Sequence, residues 1–178
     1  MIHELRTIVS NDKIDEVLNY FNNNSSKKEE ENQVIYNYHT EGDLRLIRTN
    51  EYLKLNLRKN NNENTVYVSS KYDNDLIEMF REIGIAVDFK RYRTRYKYIY
   101  ESFYITIDKT LKVGNILRVK INYLNESDLK SKLEIINNLF MKLGIDHTDF
   151  EKFQEIYGKY RTSWNDLVGN INDDDYLK

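Results

Sequence analysis

The sequence of 178 residues contains no cysteine and no proline, and only six glycines and one tryptophan. Without cysteine, disulfides, thiolate metal sites and a cysteine nucleophile are all excluded. Without proline, strands and helices run unbroken, and turns must rely on Asn, Asp and Gly. No stretch approaches the roughly 20 apolar residues of a membrane span, and the N-terminus does not resemble a signal peptide. These features predict a soluble cytoplasmic chain with no membrane partner.

A chain of this length is expected to form one domain, here residues 1–170, followed by an acidic C-terminal tail at residues 171–178. The formal net charge is -2. Any anion-binding surface must therefore come from local segregation of charge rather than from a general excess. Such segregation is visible, because residues 90–97 are basic and residues 172–175 are acidic.

Alternation of apolar and polar residues predicts most of the strands. Between residues 115 and 123, Leu117, Val119 and Ile121 share one parity while Arg118 and Lys120 share the other, which is typical of a half-buried strand. The same reasoning predicts strands at 2–9, 34–39, 43–49, 52–59, 65–70, 86–100, 102–108 and 115–123. Many antiparallel strands with a few helices indicate an α+β fold, and closure into a barrel would remove the exposed edges.

Apolar residues at helical spacing predict the helices. The first helix carries Ile14, Val17, Leu18 and Phe21, with Asp12 as the predicted cap. Further helices are predicted from residue 73 or 75, at 127–143 before Gly144, and as a short helix after a cap at Thr148, with residues 160–168 closing the fold. Residues 22–32 are polar and low in complexity, which predicts a mobile loop, and residues 172–178 are expected to form a frayed tail.

The most unusual local pattern is a row of cations at 91–97. Arg91, Arg93, Arg95 and Lys97 share one parity, so a strand here would point four cations in the same direction. Like charges placed in this way repel one another unless water or an anion lies between them. The pattern therefore predicts a negatively charged ligand.

A family resemblance rests on the spacing of the C-terminal half. Asp108, Gly114, the positions Arg118 and Lys120 four and six residues after that glycine, and a helix ending in Leu-Gly at 143–144 resemble the CYTH family of triphosphate tunnel metalloenzymes. The family includes class IV adenylyl cyclases, thiamine triphosphatases, inorganic triphosphatases and the RNA triphosphatases of fungal and viral capping systems. The basic run at 91–96 is similar to a strand of the viral capping enzymes. The resemblance implies an antiparallel eight-stranded tunnel barrel with flanking helices, whose lumen binds a triphosphate between basic side chains and metal-holding glutamates.

The chain departs from the family at the metal-binding positions. On the first strand Glu4 is present, but Ile2 stands where the family has another glutamate. On the last strand Arg118 and Lys120 stand where the family has an acidic pair. Exchanging two acids for two bases changes the local charge by about four units, which repels a metal and attracts an anion. Of the implied metal ligands only Glu4, also the candidate catalytic carboxylate, and Asp108 remain.

The resemblance implies a basic tunnel that binds a triphosphate or nucleotide polyanion, with weak or absent metal-dependent phosphohydrolase activity and Mg²⁺ or Mn²⁺ as cofactor only if the chain is catalytic. Three alternatives stay open: cations that merely line a solvated sheet face, an active triphosphatase acting on an RNA 5′ end or a small organic triphosphate, and a non-catalytic protein-interaction subunit that keeps the barrel as scaffold. The sequence contains no Walker-type loop, zinc spacing or nucleophile triad. The candidate phosphate-binding residues are Arg6, Arg45, Lys54, Arg58, Arg91, Arg93, Arg95, Arg118 and Lys120.

Overall fold

The computed structural model describes residues 1–60, 62–69 and 73–178, without the side chains of residues 62, 69, 73 and 74. The strands of this described part are β1 (Ile2–Val9), β2 (Lys27–His39), β3 (Asp43–Arg48), β4 (Tyr52–Lys59), β5 (Asn62–Ser69), β6 (Val87–Tyr100), β7 (Phe103–Thr110) and β8 (Gly114–Asn122). Its helices are α1 (Ile14–Asn24), α2 (Asp73–Glu82), α3 (Glu126–Leu143), α4 (Phe150–Val168) and α5 (Asp173–Leu177). Among these helices none is both long enough and apolar enough to span a membrane.

The strands form one eight-stranded antiparallel sheet in the order β1-β8-β7-β6-β2-β3-β4-β5. The predicted α+β fold with eight antiparallel strands and flanking helices is confirmed. The chain divides into two compact units. Unit 1 comprises residues 1–30 and 94–157, and unit 2 comprises residues 31–93 and 158–178.

The core of unit 1 lies between one strand face and helices α1 and α3. Alternation along β8 buries Leu117, Val119 and Ile121, as the sequence predicted. Helix α1 turns Val17 and Phe21 towards this face, and both are fully buried. Because this apolar set occupies one parity of each strand, the other parity of β1, β7 and β8 is left for polar side chains.

Unit 2 packs a smaller apolar set against its own part of the sheet. Val34, Leu46 and Leu53 occupy β2, β3 and β4 and are fully buried. Tyr38 packs edge-to-face on Phe80 of α2, with ring centroids 5.0 Å apart. Burial raises the pKa of the Tyr38 hydroxyl to about 12. This hydroxyl therefore stays protonated throughout the neutral range.

The prediction of a mobile loop at residues 22–32 was wrong. Helix α1 continues to Asn24 and β2 begins at Lys27. The backbone N–H of Ser26 donates to the carbonyl of Ile99, 2.9 Å away on β6. Pairing with β6 thus carries the strand into a segment whose composition favours a loop. The segment can form a strand because its charged side chains stay exposed to solvent.

Two predicted helix caps were also wrong. Lys13 occupies the N-cap of α1 without a side-chain cap, and Asp12 is hydrogen-bonded to Ser10 instead. Thr148 accepts the backbone N–H of Ile8 at 2.9 Å, so its hydroxyl is used by β1 rather than by a helix. The short helix predicted after Thr148 is longer than expected, because α4 runs without a break from Phe150 to Val168.

The C-terminal residues are helical rather than frayed. Asn172 caps α5 by accepting the backbone N–H groups of Asp174 and Asp175. Leu177 is only 3% exposed. The end of the chain is therefore held against unit 2, to which it belongs.

Whether residues 1–170 act as one domain stays a prediction. The strand predicted at 65–70 corresponds to β5, which begins earlier than predicted, at Asn62; its predicted end at Ser70 lies outside the described residues.

Candidate functional site: the polar strand faces

The polar face of unit 1 is set by strand register. Glu4 on β1 lies opposite Lys120 on β8, which lies opposite Tyr104 on β7. In the next row, Arg6 lies opposite Arg118. Two arginines directly opposite each other on one face repel unless an anion lies near them. We call the group Glu4, Arg6, Arg95, Asp108, Arg118 and Lys120 the unit 1 polar cluster.

Asp108 lies at the centre of this cluster and is bound by two guanidinium groups. Arg95 donates from Nε to Oδ1 at 2.6 Å and from a terminal nitrogen to Oδ2 at 2.9 Å. Arg118 donates a terminal N–H to the same Oδ2. Asp108 is 3% exposed. A carboxylate held by two guanidinium groups fixes both of them in position on the strand face.

The pKa of Arg118 reflects the charges around it. Burial lowers the pKa of the Arg118 guanidinium, and the nearby cations Arg95 and Arg6 lower that pKa further. The carboxylates of Asp108 and Glu4 raise it. Arg118 remains charged, since guanidinium groups do not lose their proton in proteins. Its Nε is buried and has no hydrogen-bond partner among the described residues. The cluster therefore keeps a buried cationic donor unused.

Unit 2 carries the other predicted cations on one face of its own strands. Register places Arg45 opposite Asn56, and alternation puts Lys54 and Arg58 on the same face as Asn56. Arg45 donates to Asp43, its neighbour at i-2, and Arg58 donates to Glu63 at 2.7 Å. Arg45 thus holds a carboxylate of its own strand β3, and Arg58 holds one of the neighbouring strand β5. Lys54 lies over the ring of Tyr67, 5.7 Å from the centroid.

Arg91 and Arg93 of β6 are more deeply placed. They are 8% and 7% exposed. Arg91 donates to the amide oxygen of Asn37 at 3.1 Å, and Arg93 donates from Nε to the amide oxygen of Gln33 at 2.6 Å. The sequence reasoning missed both amide partners. Their shared parity on β2 was the signal that could have identified them.

The carboxylates present do not fit a hard divalent cation. Glu4 accepts Nε of Arg6 at 2.6 Å, and both oxygens of Asp108 accept guanidinium N–H groups. Glu4 and Asp108 lie on β1 and β7, with β8 between them in the strand order. Within residues 1–60, 62–69 and 73–178, no three His, Asp or Glu side chains gather as a metal site would require. Mg²⁺ binds through carboxylate oxygens left free for it, so the metal and catalytic roles of these two residues stay predictions.

This fold is the CYTH type, in agreement with the resemblance read from the sequence. No family model and no curated protein matches the sequence. Solved structures do match it. A candidate adenylate cyclase from Vibrio parahaemolyticus is 17% identical, with a TM-score of 0.59 over 86% of this chain and 97% of that one.

Two further structures come from other kinds of organism and protein. An adenylyl cyclase candidate from Hippeastrum, described as having a dominant triphosphatase activity, is 15% identical, with a TM-score of 0.50 over 87% of this chain and 96% of that one. A chain of the Schizosaccharomyces pombe Mediator head module is 12% identical, with a TM-score of 0.54 over 80% of this chain and 94% of that one. At these identities the likeness establishes the fold and leaves the activity to be argued from the site.

Proposed function

We propose that the chain binds a triphosphate, or a nucleotide-like polyanion, through the unit 1 polar cluster, with weak or absent metal-dependent hydrolysis. The observation that carries the proposal is the gathering of three guanidinium groups around Asp108 and Glu4. Arg95 and Arg118 would supply donors held in place by Asp108, while Arg6 and Lys120 would supply exposed charge. Guanidinium groups match phosphate oxygens with two parallel hydrogen bonds, which suits a phosphate chain.

The charge balance of the cluster favours an anion. Its four basic side chains face two carboxylates, which leaves an excess of two positive charges. A triphosphate carries more than two negative charges, so it would offset that excess completely, and it would accept the buried Nε–H of Arg118. A lone metal ion would add to the excess instead. Electrostatic binding of this kind weakens as the salt concentration rises.

The basic residues of unit 2 are proposed as a separate group of phosphate ligands on that unit's own strand face. Arg45 and Arg58 would exchange their exposed carboxylate partners for phosphate oxygens, because exposed ion pairs contribute only about 0–1 kcal/mol each. Arg91 and Arg93 are held in place by amide oxygens, so they would contribute fixed charge. Lys54 adds a mobile ammonium group on the same face.

A calorimetric titration with tripolyphosphate tests the proposal. The informative variant is Arg6→Ala with Lys120→Ala, since both side chains are exposed and the core does not depend on them. Each lost phosphate contact removes about 1.5–3 kcal/mol, so the double variant, which loses two, should bind at least about a hundredfold more weakly. The matched control is Lys130→Ala with Lys152→Ala, which removes two exposed charges from helices α3 and α4. Equal affinity in both double variants would refute binding at the cluster.

Active hydrolysis of a triphosphate is the second candidate function. The triphosphatase activity described for the Hippeastrum protein favours it. This reading predicts release of the γ-phosphate from 5′-triphosphate RNA, ATP or thiamine triphosphate when Mg²⁺ or Mn²⁺ is added. Release of phosphate that depends on the metal and on Glu4 would establish it, and inertness toward all three substrates would remove it.

A non-catalytic interaction subunit is the third candidate. The likeness to a chain of the Mediator head module favours it, because that chain is part of a protein assembly. On this reading, Arg6→Ala with Lys120→Ala leaves association with the partner protein intact, and tripolyphosphate does not compete with that partner. Competition by tripolyphosphate would instead favour the polyanion proposal.

A further inference from the structure

A second gathering of donors surrounds the C-terminal helix α5 in unit 2. The carboxylate of Asp173 accepts the hydroxyl groups of Tyr36 and Tyr92, the latter at 2.6 Å. Lys90 donates from Nζ to the two oxygens of the same carboxylate, at 3.0 and 3.3 Å. The next residue, Asp174, accepts a terminal N–H of Arg48 at 2.5 Å. We call Tyr36, Arg48, Lys90 and Tyr92 the anion socket.

The socket is largely shielded from water. The side chain of Arg48 is 12% exposed and that of Lys90 is 26% exposed. Burial opposes the ionisation of Asp173, but the hydrogen bonds from Tyr36, Tyr92 and Lys90 outweigh it and hold the pKa of that carboxyl below its ordinary value. Two shielded cations need an anion beside them. With α5 in place, the carboxylates of Asp173 and Asp174 supply that anion.

The socket does not coincide with the predicted phosphate-binding face of unit 2. Tyr36 alternates with Asn37 on β2, and Lys90 and Tyr92 alternate with Arg91 and Arg93 on β6. Side chains of opposite parity project from opposite faces of a sheet. The socket thus lies on the other strand face and does not depend on the function proposed above.

A cleft beside the socket gives room for more than a carboxylate. It has a volume of about 420 Å³ and includes Tyr36, Arg48 and Lys90 in its lining. Its apolar wall is formed by Ile77, Val87 and Ile171. The cleft is open to solvent on one side, so its apolar wall and few polar groups would contact one side of a small ligand.

We propose that the anion socket is a binding site for a small organic phosphate, which Asp173 and Asp174 occupy in the ligand-free chain. The two adjacent carboxylates present their oxygens to an arginine, a lysine and two hydroxyl groups, which are also the donors that bind phosphoryl oxygens. The phosphoryl groups would take the place of the two carboxylates. The organic part would then lie against Ile77, Val87 and Ile171.

A ligand must compete with Asp173 and Asp174 of the same chain for the anion socket. A tethered group acts at an effective concentration of about millimolar. Micromolar ligand should therefore leave α5 in place in the wild-type chain. Neutralising the two carboxylates removes the competing charge while keeping the full chain and the shape of both side chains.

The test is calorimetry with pyrophosphate and with ADP on the full chain carrying Asp173→Asn and Asp174→Asn. We expect one more bound equivalent per chain than in the wild type, and we expect its loss on adding Lys90→Gln. The control, Asp75→Asn with Asp166→Asn, changes the charge equally at exposed positions of unit 2 and should match the wild type. Equal stoichiometry in all these chains overturns the proposal. Binding of pyrophosphate without binding of ADP overturns the assignment of the cleft to an organic ligand.

A wild-type experiment keeps the proposal testable if the doubly neutralised chain does not fold. ADP at several millimolar should displace α5 and make the last residues accessible, so that carboxypeptidase releases them at least about threefold faster. Addition of the same concentration of adenosine, which lacks the phosphates, serves as the control. An unchanged digestion rate with ADP overturns the proposal.

Discussion

Replacing Asp108 with alanine tests the charge balance of the unit 1 polar cluster. The substitution removes a carboxylate that is 3% exposed and accepts N–H groups from Arg95 and Arg118. Breaking a buried ion pair by removing one partner costs about 3–5 kcal/mol. The side chains of Arg95 and Arg118 keep 18% and 24% exposure. Water offsets part of the loss, and we expect a cost of about 3 kcal/mol.

For a chain of this size each 1 kcal/mol lowers the melting temperature by about 2–4 °C. Differential scanning calorimetry should therefore show Asp108→Ala melting about 6–12 °C below the wild type. Tripolyphosphate should then raise the melting temperature of the variant more than that of the wild type, because the anion supplies the charge that Arg95 and Arg118 have lost. At 100 times its Kd a ligand adds about 2.7 kcal/mol of stability, which is close to full recovery.

The matched control for this experiment is Asp166→Asn, an exposed position on α4. It should melt like the wild type and respond to tripolyphosphate like the wild type. Equal shifts in Asp108→Ala and in the wild type would refute the reasoning, since the anion would then bind without regard to the charge between the two arginines. Unchanged stability of Asp108→Ala without anion would refute it as well.

Three further predictions concern stability. Gly144 ends α3 with a φ of 62°, so Gly144→Ala should lower the free energy of unfolding in urea by about 1 kcal/mol. Gly158 lies inside α4, where an added Cβ meets nothing within 4 Å, so Gly158→Ala should raise that free energy by about 0.5–1 kcal/mol. A change of the same sign in both variants would contradict this prediction. Asn125 accepts the backbone N–H of Asp128 at 3.0 Å, and Asn125→Ala should cost about 1 kcal/mol, which a Ser replacement should largely restore. Asp173→Asn should cost about 1–3 kcal/mol near pH 7. Because the folded pKa of Asp173 is lowered from 3.8, that difference should persist above pH 3.8 and vanish as the pH falls through the folded pKa; a difference that widens in acid would contradict it.

The strands, and which strand positions carry polar side chains on the same face, could be predicted because both depend on residues that are close in sequence. Alternation along β8 predicted that Leu117 and Val119 are buried, and the same alternation placed Arg118 and Lys120 on the other face. The end of α3 was readable from Gly144, whose positive φ favours glycine. Such features depend on residues a few positions apart, so one sequence is enough to find them.

The features that could not be predicted depend on contacts between residues that are distant along the chain. The bond from Ser26 to Ile99 extends β2, and no local pattern in residues 22–32 reveals it. Asp173 is held by Tyr36 and Tyr92, 137 and 81 positions away, so an acidic tail was the natural local prediction. Strand order, which no alternation specifies, brings such residues together.

The candidate phosphate-binding residues were predicted as separate cations, but the structure joins some of them in a hydrogen-bonded network. Parity identified Arg95 and Arg118, but their shared bond to Asp108 required the neighbouring positions of β6, β7 and β8. That bond changes the expected chemistry, because it uses the oxygens that a metal would need. On the proposal made above, guanidinium groups would supply the positive charge that the family resemblance assigns to a metal.

The central claim is that polyanion binding needs no metal. The most direct measurement is calorimetric titration of the wild-type chain with tripolyphosphate, once with EDTA and once with Mn²⁺, while phosphate release is followed in the same samples. We expect the two affinities to agree within about threefold, a difference of less than 1 kcal/mol, with phosphate release at the background rate. Binding that appears only with Mn²⁺, together with metal-dependent release of phosphate, would contradict the account.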